Sequence, residues 1–341
     1  MIAPWWLFGL VFALAWLLTG ALRRYALARN VIDVPNARSS HKTPTPRGGG
    51  ISFVVAFVAG MLAMGAGGFV AWSVVCGVAV AGAWIALIGF LDDHGHIQAR
   101  WRLLAHFIGA GWGLYWMGGV PALSIGGLPL EAGWLLNIAA AFYLVWLLNL
   151  YNFMDGIDGL ASVEAICVTV GASVLYFLTG AGDAGLAPML LAAAVLGFLI
   201  WNFPPAKIFM GDGGSGFLGL TLGILSLKAG WQAPELFWAW TILLGVFIVD
   251  ATLTLLRRLI RGEKVYEAHR THAYQYASRK WGSHVSVTLT VLAINVLWLF
   301  PMACLVALGK MDGSLGMAVA YAPLVIAALR LKAGVREPAS A

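Results

Sequence analysis

Apolar residues run along this chain in long blocks, and polar residues gather in the gaps between them. Eleven blocks are long enough to cross roughly 30 Å of hydrocarbon as a helix. They cover residues 4–22, 49–66, 69–91, 101–120, 133–152, 160–180, 185–203, 214–230, 235–256, 285–307 and 313–331. The eighth is short and glycine-rich, and only Gly65–Gly68 separates the second from the third. The blocks are continuous and lack apolar/polar alternation, which argues against a β-barrel. The first begins at Pro4 with no basic residue ahead of it and is followed by Arg23-Arg24, so it reads as a true span and not a cleaved leader. The expected fold is all-α: a polytopic membrane helix bundle of about eleven transmembrane helices, forming a single domain over residues 1–341.

Composition agrees with this pattern. The 341 residues are 61% hydrophobic and 11% charged, less than half the charged share of about 25% in a soluble domain. Cys76, Cys167 and Cys304 sit inside apolar blocks and suggest neither a disulfide framework nor a zinc site. The net charge of +6 is informative through its distribution. If the blocks alternate in direction, 19 of the 21 Lys and Arg residues fall on one side, leaving only Lys228 and Lys310 on the other. The positive-inside rule makes the crowded side cytoplasmic, the N-terminus periplasmic and the C-terminus cytoplasmic.

The polar motifs fall at that same face. A transporter should carry polar groups near mid-membrane, often in paired repeats, so a cytoplasm-facing enzyme fits better. Asp92-Asp93 ends the third block, where adjacent acids oppose a helix dipole and need a reason. His94 and His96 follow, reading as solvated, and Arg100 and Arg102 need no role beyond sidedness. The stretch NLYNFMDGIDGL sets Asn149, Asn152, Asp155 and Asp158 between the fifth and sixth blocks, with glycines that allow close backbone approach. So many carboxylates at one face would repel an anionic substrate unless a cation joins them, and hard oxygen ligands suit Mg²⁺ or Mn²⁺. Lys207 precedes MGDGGSG, which holds Asp212 in a glycine-rich turn able to cradle phosphate through backbone N–H groups.

EKVYEAHRTH supplies His269, Arg270 and His272 in the longest cytoplasmic gap, suited to phosphate oxygens or a metal-bound diphosphate. SSHKTPTPRGGG offers His41, Lys42 and Arg47 for anion binding or closure over the site. Asp250 lies within the ninth block; it is either functional or paired with Arg257, about 10 Å along the same helix face. His106 and His284 read as isolated structural histidines.

Taken in order, LDD, NFMDGIDGL, FMGDGGSG and AHRTH resemble the polyprenyl-phosphate N-acetylhexosamine-1-phosphate transferases, over nearly the whole chain. The eleven-span, N-out layout is most similar to the branch that starts O-antigen. The resemblance implies transfer of a sugar 1-phosphate from a UDP-N-acetyl sugar to undecaprenyl phosphate, releasing UMP, at the cytoplasmic face of the cell inner membrane. Donors include UDP-GlcNAc and deoxy sugars such as UDP-FucNAc or UDP-QuiNAc. It implies Mg²⁺ as cofactor, with Mn²⁺ able to substitute. Membrane lipids are the other expected partners, nucleic acid is not one, and a homodimer is plausible.

By motif, Asp92, Asp93, Asp155, Asp158, His269 and His272 would be catalytic. Arg47, Asn149, Asn152, Lys207, Asp212 and Arg270 would bind substrate, and Asp93, Asp155, Asp158 and Asp212 the metal. The chain lacks a lysine close behind Asp92-Asp93 and the three consecutive histidines of the phospho-MurNAc-pentapeptide branch, which favours the O-antigen branch.

Overall fold

Every apolar block becomes helical, the ninth as two helices. In the computed structural model, which describes residues 4–35, 40–41, 43–95, 97–130, 133–264 and 269–336, the first are α1 (Trp5–Ala28), α2 (Ile51–Ala66) and α3 (Trp72–Gly95). Next come α4 (Ala99–Met117), α5 (Trp134–Met154), α6 (Leu160–Leu178) and α7 (Gly182–Asn202). The chain continues through α8 (Asp212–Gly230), α9 (Pro234–Leu243) and α10 (Gly245–Ile260). It ends with α11 (Ala273–Trp281), α12 (His284–Ala307) and α13 (Gly313–Arg330). Lys42, His96 and residues 265–268 of the histidine stretch lie outside the described residues.

The protein is an all-α membrane helix bundle. Among the described residues, seven helices are long and apolar enough to cross a membrane, and an eighth span results if the α9–α10 pair counts as one. That pair is not the single straight ninth span expected: it bends by 69° at Leu244. The other blocks give shorter or more polar helices. α2 has 16 residues, and α4 opens on Arg100 and Arg102.

The block with the weakest sequence signal is the centre of the bundle. Nearly every residue of α8 is buried. Its glycines make this possible: a Cβ at Gly219 would lie 2.4 Å from the Leu147 carbonyl oxygen of α5, and one at Gly223 would meet Leu144 at 2.7 Å. Where lipid removes the hydrophobic drive between helices, small residues let backbones close and gain dispersion contact. Low apolarity here reflects tight packing.

One end of the bundle is tied by backbone pairing. β1 (Ile32–Asp33) and β2 (Thr45–Pro46) pair antiparallel, turning the first gap back on itself. Phe209 N–H donates to the Pro46 carbonyl at 2.8 Å, and Gly49 and Gly50 donate to the Phe209 and Met210 carbonyls at 2.9 Å each. The triple glycine thus lies against the turn before α8, where a Cβ at Gly50 would sit 2.6 Å from Gly214 Cα. Elsewhere β3 (Leu123–Ile125) and β4 (Leu128–Leu130) form a hairpin. A second polar contact lies deeper: Glu164 of α6 is fully buried and accepts from Asn295 Nδ2 of α12 at 2.6 Å, at the start of a π-helical stretch (Asn295–Leu299).

Candidate active site

The C-terminal ends of α3 and α5 meet the N-terminal end of α8, and two cavities open where they meet. The first, about 250 Å³, is lined by Arg47, Asp93, Asn152, Asp155, Asp158 and Asp212, with His41 and Gln275 at its walls. The second, about 180 Å³, is lined by Asp92, Arg102, His106, Asn149, Asn152 and Asp212 on one side. Ile85, Ile88, Leu103 and Leu148 form its apolar side. Asn152 and Asp212 belong to both and form the partition between them.

Each acid is held differently. Asp92 Oδ1 accepts the Ile97 N–H at 2.6 Å, and Oδ2 pairs with Arg102 Nη1. Asp93 pairs with Arg47 and, through its other oxygen, accepts the Asp212 N–H at 3.2 Å. The unfavourable placing of two acids at a helix C-terminus is thereby offset by two guanidinium groups and the positive N-terminal end of α8. Gly211, at φ +78°, permits this approach, since a Cβ there would lie 2.7 Å from Asp93 Oδ2. The turn expected to cradle phosphate therefore gives one of its amides to Asp93. Asp212 Oδ1 accepts from Asn152 Nδ2 at 3.0 Å, and the same amide lies 3.0 Å from Ser215 Oγ. Arg102 Nη1 stands 3.9 Å from Asp212 Oδ2.

Asp155 and Asp158 part company. α5 stops at Met154, and Gly159 at φ +74° turns the chain into α6, so the two acids sit on a loop and not on one helix face. Asp158 is fully engaged: His284 Nδ1 lies 3.2 Å from Oδ1, and Ala206 N–H donates to Oδ2 at 3.0 Å. Burial alone would raise its pKa, but these two contacts hold it below the ordinary carboxylate value. Asp155 has no hydrogen-bond partner for its carboxylate among the described residues, and burial followed by repulsion from Asp212, Asp93 and Asp158 pushes its pKa well up. A carboxylate destabilised by its neighbours is one that a cation would relieve.

The donor set fits Mg²⁺ in chemistry, being hard oxygens from acids lining one cavity. Among the described residues, no three His, Cys, Asp or Glu side chains converge on one point. Any ion would thus be held by one or two carboxylates, Asp155 and Asp212 being the least engaged, with substrate phosphate completing its shell.

The histidine motif lies behind the cavities. His272 is 2% exposed and N-caps α11, with its Nδ1 3.3 Å from Asp250 Oδ1. Asp250 also accepts the Ala273 and Tyr274 N–H groups at 2.9 and 3.0 Å. It does not pair with Arg257, which donates to the Ala333 carbonyl. Its work is to hold α11, whose Tyr274 hydroxyl donates to the Phe153 carbonyl at 3.0 Å beside Gly156. His269 stacks on His272 at 4.9 Å, and burial together with His272 and Arg258 lowers its pKa to about 3. That shift favours the neutral imidazole over a cationic phosphate contact.

Of the expected site residues, Arg47, Asp92, Asp93, Asn149, Asn152, Asp155, Asp158 and Asp212 line the cavities. His269, Arg270, His272 and Lys207 line neither, and Lys207 rests its ammonium over the Trp201 ring at 5.6 Å. The structure corrects three readings. Arg102 does more than set sidedness, since it pairs with Asp92; His284 is no isolated histidine; and His106 lines the second cavity. His94 is ordinary, capping back to the Phe90 carbonyl. Asn202 went unnoticed: its Oδ1 accepts the Gly159 N–H at 3.1 Å and its Nδ2 donates to the Ile208 carbonyl at 3.1 Å, joining two site loops. Its signal was present, since it ends an apolar block as Asn149 and Asn152 do.

A membrane helix bundle with paired polar cavities at one end, walled by acids and arginines, is the architecture of an enzyme acting on phosphorylated substrates at a bilayer surface. Residues 75–230 match the family model described as "Glycosyl transferase family 4". The chain is 30% identical over 312 residues to the decaprenyl-phosphate N-acetylglucosaminephosphotransferase of Mycobacterium leprae, covering 80% of this chain and 76% of that one. It is 29% identical over 293 residues to the probable undecaprenyl-phosphate N-acetylglucosaminyl 1-phosphate transferase of Bacillus subtilis, covering 83% and 79%. It is also 30% identical over 265 residues to the phospho-N-acetylmuramoyl-pentapeptide-transferase of Streptococcus thermophilus, covering 73% and 72%. The chain belongs to glycosyl transferase family 4, the polyprenyl-phosphate sugar-1-phosphate transferases.

Proposed function

We propose that the protein transfers N-acetylhexosamine 1-phosphate from a UDP-N-acetyl sugar to undecaprenyl phosphate, releasing UMP. The partition formed by Asn152 and Asp212 carries this reading, because it sets two cavities, each walled by an arginine, on either side of one carboxylate. The first cavity, the more polar of the two, suits the nucleotide diphosphate, with Arg47 and His41 at its wall. The second suits the acceptor, its phosphate at Arg102 and its first isoprene against Leu103 and Leu148. The acceptor phosphate attacks the β-phosphorus of the donor, and the P–O bond to UMP breaks. Asp155 and Asp212 would hold Mg²⁺, which would supply charge neutralisation for the diphosphate.

The chain's own residues position and screen, as in phosphoryl transfer generally. A phosphate monoester has its second pKa near 6, so the acceptor is already mostly dianionic at pH 7 and needs little help from a base. Asp92, both oxygens engaged, instead orients Arg102.

Eleven spans with the N-terminus periplasmic and the site cytoplasmic are part of this reading, supported by the charge split. UDP-GlcNAc is the first donor to test, given the relatives named for N-acetylglucosamine. The motif differences from the pentapeptide branch support a place at the first membrane step of O-antigen or another surface polysaccharide. Purified protein with undecaprenyl phosphate and radiolabelled UDP-GlcNAc should give organic-phase label and free UMP, both abolished by EDTA. Failure with a panel of UDP-N-acetyl sugars would remove the reading.

A further inference from the structure

A third cavity, of about 380 Å³, lies away from both substrate sites, between α11 and the turn after α13. Its walls include Tyr276, Arg279, Lys280, Lys332 and Arg336, and among the described residues no acid lines it. Lys280 and Lys332 make no ion pair among the described residues, and the Lys332 ammonium sits over the Tyr276 ring at 5.4 Å. Arg336, by contrast, pairs with Glu263 at 2.7 Å.

The pocket is built in advance. Lys332 adopts φ 56°, a left-handed conformation that glycine usually takes at a helix end. The turn it belongs to is nailed down on three sides. Gly334 N–H donates to the Thr271 carbonyl at 2.7 Å, Arg257 donates to the Ala333 carbonyl at 2.8 Å, and Arg261 donates to the Gly334 carbonyl. A Cβ at Gly334 would stand 2.9 Å from the Thr254 carbonyl oxygen, so this wall has no room to shift.

The surroundings are those of a membrane surface. α13 ends two residues before Lys332, and Arg261, directly after α10, holds the Gly334 carbonyl of the same turn. Val335, which lines it, and Trp281, next in the chain to Lys280, are exposed apolar side chains. Cations above an aromatic floor, rimmed by exposed apolar side chains, match a group with a phosphate at one end and hydrocarbon at the other. A free phosphate would make no use of that rim.

We propose that this pocket binds the headgroup of an anionic phospholipid of the surrounding bilayer, through Lys280 and Lys332. Thr271, which lines it, lies between His269 and His272, so occupancy braces the loop that carries the histidine motif. The proposal rests on the membrane placement of the helices and not on the transferase reading.

The test is thermal unfolding of the full chain in neutral detergent, titrated with phosphatidylglycerol, phosphatidylcholine or inorganic phosphate. Phosphatidylglycerol should raise the midpoint saturably, while the other two leave it in place. Lys280→Ala/Lys332→Ala should weaken the apparent phosphatidylglycerol affinity by more than about tenfold, since each lysine near an anionic headgroup contributes a roughly fivefold factor. Lys280→Arg/Lys332→Arg should restore it. If the double alanine variant fails to fold, Lys280→Ala alone, at an exposed position, should weaken affinity about fivefold. An undiminished phosphatidylglycerol response in the alanine variants, an equal response to phosphatidylcholine, or a response reproduced by inorganic phosphate would overturn the proposal.

Discussion

His284 Nδ1 of α12 lies 3.2 Å from Asp158 Oδ1, and one turn further along the same helix Thr288 Oγ1 donates to the Asp158 carbonyl at 3.1 Å. Asn295, on the same face, holds Glu164. α12 therefore grips the second acid of the DGIDG loop from behind, at a point remote in sequence from every motif. Removing that grip should loosen the loop without touching the metal. His284→Ala is expected to lower kcat by about tenfold or more, since a hydrogen bond to a charged group is worth about 1.5–3 kcal/mol. The Mg²⁺ concentration for half-activation should stay unchanged, and a shift in it would refute this positioning role.

Asp155 and Asp158 should separate in the same assay. Asp155→Asn removes the carboxylate that is buried and crowded by Asp212, Asp93 and Asp158, so turnover should vanish and Mg²⁺ activation weaken. Asp158→Asn leaves an acceptor for the Ala206 N–H and should lower turnover while preserving the metal titration. Identical metal titrations for both variants would sink the distinction.

Asp92→Asn should reduce activity by a similar factor at pH 7 and pH 9, because the acid orients Arg102 and removes no proton. Recovery at pH 9 alone would identify Asp92 as a base after all. A pH–rate profile of kcat/KM decides between them.

His269 predicts a pH dependence of stability. Its pKa falls from 6.5 to about 3 on folding, so below pH 6.5 the unfolded chain binds a proton that the folded chain refuses. Stability should therefore fall as pH drops below 6.5, and the loss accumulates until about pH 3. Between pH 7.5 and 5, His269→Gln should show a shallower decline in thermal midpoint than the parent. Equal slopes would mean that His269 titrates normally in the folded state.

Much of the site was legible because apolar blocks leave only a few places for polar residues. Asp92, Asp93, Asn149, Asn152, Asp155, Asp158 and Asp212 stand out against hydrocarbon-length runs, and each lines a cavity. What hid was pairing across distance. Arg102 looks like any juxtamembrane cation until α4 brings it to Asp92, and His284 like any loop-end histidine until α12 packs beside α6. The histidine motif shows the opposite case: its residue types suit phosphate, while packing buries His272 as a helix cap and favours the neutral form of His269.

The sequence by itself determined that this is a helical membrane protein, where its helices run, and that its polar residues gather at their ends, because desolvating backbone and charge in hydrocarbon leaves few alternatives. It also held the motifs of its family. The tertiary structure alone decided that glycine-rich α8 stands at the centre, that the ninth block bends, and that Asn152 and Asp212 divide two cavities. It alone left the Asp155 carboxylate without a hydrogen-bond partner among the described residues and tied Asp158 down. Those outcomes depend on which helix faces meet and how closely their backbones approach, and a one-dimensional pattern carries no such distances.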